Sequence, residues 1–79
     1  MAEAINKVAS ERTIHRLIRC RKTNRYFRDG EWTEDPSKAS VYSDEIAAVR
    51  ACVAHHLMDI DLVLRAPGSK IDLFATQLR

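Results

Sequence analysis

Alternation of apolar and polar positions divides the chain into short strands around one helical stretch. From Thr13 the pattern has a period of two, with Ile14, Ile18 and Cys20 on one strand face and His15, Leu17, Arg19 and Arg21 on the other. A helix competes, because Ile14, Leu17, Ile18 and Arg21 also fit its spacing. The strand is preferred, since Lys22-Thr23-Asn24 reads as a turn and Arg25-Tyr26-Phe27-Arg28 resumes with sheet-favouring aromatic residues. Asp29-Gly30 is the strongest local signal, because a type I′ turn requires positive φ at both central residues. Trp32 is then expected to return antiparallel to Phe27. Asp35-Pro36-Ser37-Lys38 reads as a loop, and Ala39 to Tyr42 as either a strand or an extended entry into the helix.

Ser43 is the expected N-cap, with Asp44 and Glu45 opposing the helix dipole in the first turn. The spacing predicts a helix from about Asp44 to Leu57. Its stripe of Ile46, Val49, Cys52, Val53, His56 and Leu57, widened by Ala47, Ala48, Ala51 and Ala54, is expected to face the sheet. A strand follows over Asp59 to Arg65, with Ile60, Leu62 and Leu64 on one face and Asp61, Val63 and Arg65 on the other. Ala66-Pro67-Gly68-Ser69 fits a type II turn. Beyond it two readings stay open. Lys70 to Phe74 alternates like a hairpin arm, whereas Ser69 with Asp72 resembles a capping box ahead of the helical stripe Ile71, Phe74, Ala75 and Leu78. The hairpin is favoured. Residues 1–12 have no settled period, and Ile5, Val8 and Ala9 belong to one helical turn or to an arm. The expectation is an α+β fold, one domain over residues 1–79, with an antiparallel sheet of about four strands and one central helix packed on one face.

Composition agrees with a folded domain: 46% of the 79 residues are apolar and 30% charged. A chain this short buries only about 60% of its unfolded surface. A disulfide, a metal or a second subunit therefore has to be considered, and a homodimer is compatible with so thin a core. The start of the chain lacks the apolar stretch of a secretory signal, and no apolar run approaches a membrane span, so a cytoplasmic protein is expected. There a Cys20–Cys52 bridge is disfavoured and both thiols read as free.

Charge changes the picture more. Residues 1–28 carry eight Lys or Arg against Glu3 and Glu11, and residues 29–45 carry six acids against Lys38 alone. Arg16, Arg19, Arg21, Lys22, Arg25 and Arg28, interleaved with Tyr26 and Phe27, suit phosphates and stacked bases. They suit an acidic protein surface equally, and a basic sheet face also serves plain solubility. Cys52 and His56, at i and i+4, have the spacing of two zinc ligands, but His15 and Cys20 project to opposite strand faces and no Cys-x-x-Cys pair exists, so core packing is the better reading. Cys52 with His55 or His56 and Asp59 is the only local cluster with the residue types of nucleophilic catalysis. With two glycines in the chain there is no Gly-rich anion loop, so no enzyme and no cofactor are expected.

Residues 26–48 combine an aromatic pair, Gly30-x-Trp32-Thr33, a spaced Ala39, the aromatic Tyr42 and an Ala-rich helix from Ala47. This pattern resembles small proteins common in bacterial genomes and prophages, most of them without known activity, and phage-borne single domains of this size include inhibitors of bacterial immunity of the anti-CRISPR type. The resemblance implies an origin, and its motif residues are structural, so no site residue carries over. The functional expectation is a non-enzymatic interaction protein that binds a larger protein through Arg19, Arg21, Arg25, Tyr26 and Arg28, as an inhibitor of that type would. Nucleic-acid binding through the same stripe is the alternative, and a structural zinc site the third reading.

Overall fold

The computed structural model describes residues 14–79. The arm over 1–12 lies outside the described residues. Five strands, β1 (His15–Cys20), β2 (Tyr26–Arg28), β3 (Glu31–Thr33), β4 (Ile60–Arg65) and β5 (Phe74–Gln77), form one antiparallel sheet in the order β3-β2-β1-β4-β5. One helix, α1 (Glu45–Ala54), joins β3 to β4. The class is α+β, with one strand more than the approximate four expected from the sequence.

The fifth strand settles the C-terminal ambiguity in favour of a strand, but it starts later than the alternation from Lys70 suggests. Asp72 is drawn into ion pairs with Arg19 and Arg65, so residues 66–73 form a wide connection before pairing with β4 begins at Phe74.

β1 is the centre of the sheet and holds the predicted alternation. Leu17 and Ile18 project to opposite faces and are both buried, so each face of the sheet is covered. β1 pairs with β4 over six residues, from His15↔Arg65 to Cys20↔Ile60. Its pairing with β2 is a single position, Arg19↔Tyr26, because residues 40–42 wedge into the ladder. The Ser40 N–H donates to the Phe27 carbonyl at 3.0 Å, and the Tyr42 N–H to the Arg16 carbonyl at 2.9 Å. Ala39 to Tyr42 is thus an extended entry, held by one β-bridge between Tyr42 and Arg16. Asp29 (φ 48°) and Gly30 (φ 93°) adopt the positive φ that their turn requires, and Trp32 pairs with Phe27 as expected.

The helix departs from the sequence reading in three ways. Its N-cap is Asp44, not Ser43: Asp44 is extended and its Oδ1 accepts from the Ala47 N–H at 2.8 Å. It ends at Ala54 instead of Leu57, because His56 turns left-handed at φ 55°. The Leu57 N–H then donates to the Cys52 carbonyl and the His56 N–H to the Val53 carbonyl, the two bonds of a Schellman cap. The third departure is in part of the packing face: Cys52 and Leu57 are buried as the stripe predicts, and its other bulky members are not. Ala48 and Cys52 point at the sheet, while Ile46, Val49 and Val53 are 61%, 41% and 57% exposed. Small side chains let the helix lie close to β1, and the bulky stripe is turned outward.

Two apolar clusters result. Ile18, Phe27, Ile60, Leu62 and Leu57 meet Ala48 and Cys52 under the helix, and Leu17, Tyr26, Ala39 and Val63 pack on the outer face.

Candidate interaction surfaces

The outer face carries most of the charge. Alternation along β1 and β4 places Arg19, Arg21, Asp61 and Arg65 there, with Arg19 opposite Asp61. Asp72, from the connection after β4, reaches over them. One of its oxygens accepts from Arg19 Nη1 at 2.7 Å and the other from Arg65 Nε at 2.7 Å, and the Tyr26 hydroxyl donates to it at 3.2 Å. Arg65 also donates to the Ser69 carbonyl and lies 5.8 Å over the Tyr26 ring. Burial disfavours the charge on Arg65, and the hydrogen bond and charge of Asp72 outweigh that, holding the guanidinium more firmly protonated than in water. Arg21 donates to Asp61 at 2.7 Å and to the carbonyls of Ile60 and Arg79.

The five residues assigned to partner binding therefore separate. Arg19 and Arg21 are engaged by Asp61, Asp72 and Asp59. Tyr26 is 7% exposed, with its hydroxyl on Asp72, and presents no ring for stacking. Arg25 is half exposed and lies 3.5 Å from Glu34, itself 82% exposed. Arg28 is exposed, and its side chain has no hydrogen-bond or ion-pair partner among the described residues. Lys22, 75% exposed at the β1–β2 turn, joins these two at the hairpin rim. Asp61 and Asp72 were the residues that sequence reasoning missed as organisers of this face. Alternation placed Asp61 on the face of Arg65, the β1–β4 register brings it opposite Arg19, and nothing local signals that Asp72 reaches back over 53 residues.

The metal and nucleophile candidates are not brought together. His56 lies past the helix end in a left-handed conformation, so it no longer shares a helix face with Cys52. Cys52 is buried, which pushes its thiol up, away from the reactive thiolate. His55 stacks edge-on against Phe27, and Asp59 faces Arg21 and Lys22. Among the described residues no three of His, Cys, Asp and Glu converge on a point that would hold a metal. Both cysteines are free. Burial raises the Cys20 thiol as well, but hydrogen bonds from Thr23 and Lys22 outweigh it and hold the group below its ordinary value.

One open cleft of about 480 Å³ lies on the outer face, between the 35–41 loop and the 66–70 turn. Two of its charged groups are already engaged, Asp35 by the Ser37 N–H and hydroxyl, and Arg65 by Asp72. The helix side of the sheet also exposes apolar residues, Ile46, Val49 and Val53 on α1, and Trp32 and Phe74 at its two opposite edges. No helix among the described residues is long and apolar enough to cross a membrane. No family model, curated protein or solved structure matches the chain.

Proposed function

We propose that the chain is an interaction protein without chemistry of its own, which docks its hairpin rim on a carboxylate-bearing surface of a larger protein. The observation that carries this reading is the sorting of the basic cluster. Arg19 and Arg21 are held by Asp61 and Asp72 on the outer face, while Lys22 and Arg25 make only solvent-exposed pairs, with Asp59 at 3.3 Å and Glu34 at 3.5 Å, and Arg28 makes none among the described residues. Exposed cations of this kind steer association and fix register. Such a protein acts by occupancy, as a phage-borne inhibitor of the anti-CRISPR type would. A protein partner is favoured over a nucleic acid because Tyr26, the aromatic residue within the basic stripe, is buried and Glu31 and Glu34 flank the rim.

The Arg25→Glu/Arg28→Glu variant is the test. It spares the outer-face network, so it should fold with an unchanged unfolding midpoint and lose the proteins that cross-link to the wild-type chain in its host cell. Retention of the same cross-linked partners by this variant would refute the assignment. Retarded migration of DNA or RNA at about 50 mM salt, lost as salt rises, would establish the nucleic-acid reading instead.

A further inference from the structure

The two edges of the sheet are not equivalent. Edge strands present unpaired backbone donors and acceptors, and proteins commonly guard them with charge, proline or short length. β3 is so guarded, with Glu31 in the strand and Glu34 and Pro36 just after it. β5, Phe74-Ala75-Thr76-Gln77, carries no charge and no proline, and all four residues are exposed. The Leu78 N–H donates to the Ile60 carbonyl, so alternation directs the backbone of Thr76 at β4 and that of Ala75 and Gln77 outward.

We propose that β5 pairs antiparallel with β5 of a second copy of this chain, continuing the sheet across a two-fold axis at Thr76. This goes beyond the hairpin-rim reading and uses a different edge. A two-fold axis through a strand sets the residues beside it near their own copies, which penalises a charged strand and admits an uncharged one. β3 would set Glu31 and Glu34 near their counterparts, whereas β5 sets none. With Ala75 and Gln77 as the hydrogen-bonded pair, Thr76 faces its counterpart and Phe74 stands across from Leu78 of the other copy. Threonine pairs and apolar pairs of this kind stabilise a ladder.

The surroundings of β5 fit the same occupant. Phe74 is opposite Leu64, hence on the helix side, and is 57% exposed beside Leu73 at 56%. His55 turns towards β2 to stack on Phe27, and a right-handed helix with Ala48 on the sheet then carries Val49 and Val53 to the β4–β5 flank. The two-fold therefore draws the apolar surface of both copies to one side of an extended sheet. A strand pair with a few apolar residues lies at the low end of stable interfaces, so dissociation is expected on the order of tens of micromolar.

Sedimentation velocity over about 5 to 500 µM, a range that brackets that affinity, tests the proposal. The weight-average mass should rise towards twice that of the chain. Ala75→Pro removes an outward N–H and leaves the bonds to β4, so it should weaken association at least tenfold while its circular dichroism matches wild type. Thr76→Cys, in a Cys20→Ser background, should form a disulfide between the two introduced thiols under mild oxidation, because residues facing across a non-hydrogen-bonded pair meet disulfide geometry. A chain that stays monomeric to 500 µM overturns the proposal. So does a dimer that Ala75→Pro leaves intact, or one in which the introduced thiols do not cross-link.

Discussion

The two faces of the sheet are held by different physics. Under α1 the contact is small and apolar: Ala48 and Cys52 settle onto Ile18, Phe27, Ile60 and Leu62, and nothing polar is buried there. On the outer face Leu17, Tyr26 and Val63 form a thin apolar floor, and the cover above it is ionic, with Asp72 clamped between Arg19 and Arg65. Apolar packing tolerates loss by degrees, because each methylene contributes separately. An ionic clamp fails as a unit, because removing one partner strands the others in a place where water is scarce. The outer face should therefore be the more brittle of the two.

Removing the clamp should produce the largest effect. Asp72→Ala leaves Arg19 and Arg65 facing each other with side chains only 23% and 13% exposed, and Arg19 Nε already lacks a partner. A loss of about 2–4 kcal/mol is expected, read as a lower urea midpoint. A loss under about 0.5 kcal/mol, the size of an ordinary surface change, would show that the outer face is held by its apolar floor alone. The helix side is tested by overfilling it. Ala48 is fully buried between α1 and the sheet, so Ala48→Leu should cost about 1–3 kcal/mol by lifting the helix. A cost for Ala48→Leu clearly above that for Asp72→Ala would reverse the ranking of the two faces.

How much of this was legible in the sequence follows from the range of each force. Strand faces were readable, since a period of two sets Leu17 with Arg19 on one strand and Asp61 with Val63 and Arg65 on another, and the register between the strands then joins the two sets. The Asp29-Gly30 turn was readable because its backbone conformation restricts the residues that fit. The helix face was readable in part: Cys52 and Leu57 of the predicted stripe are buried, but Ile46, Val49 and Val53 are exposed, because the small Ala48 beside Cys52 permits the closer approach to the sheet. Of the predicted binding stripe, the strand face was legible and the availability of its members was not. Whether an arginine is free depends on a carboxylate such as Asp72, placed by a connection whose course no local signal sets.

The C-terminus of α1 offers a smaller effect of opposite sign. His56 holds the left-handed position of the Schellman cap, where a side chain with a Cβ costs roughly 1 kcal/mol and glycine does not. His56→Gly should stabilise the fold by about 0.5–1 kcal/mol, after allowing for the added freedom of glycine in the unfolded chain. Thermal unfolding would register it as a higher midpoint. A destabilised variant would mean that the imidazole makes a contact outweighing its backbone cost, and the helix side would then rest on more than small apolar packing.

The smallest expected effect is the most discriminating for the exposed stripe. Val53 is 57% exposed on the flank of α1 that faces away from β2, and glutamine is a better helix former than a β-branched residue. Val53→Gln should therefore leave the monomer within about 0.5 kcal/mol of wild type, on the stable side. Measured below about 5 µM, where a weak dimer is dissociated, urea unfolding should barely distinguish the two chains. At several hundred micromolar both gain stability from association through β5, and the wild type should gain more, because the proposed two-fold brings the apolar surface of the helix side together. A cost that is the same at both concentrations would place Val53 in the packing of the single chain, and the helix would then hold its sheet through both rows, as the bare periodicity suggests.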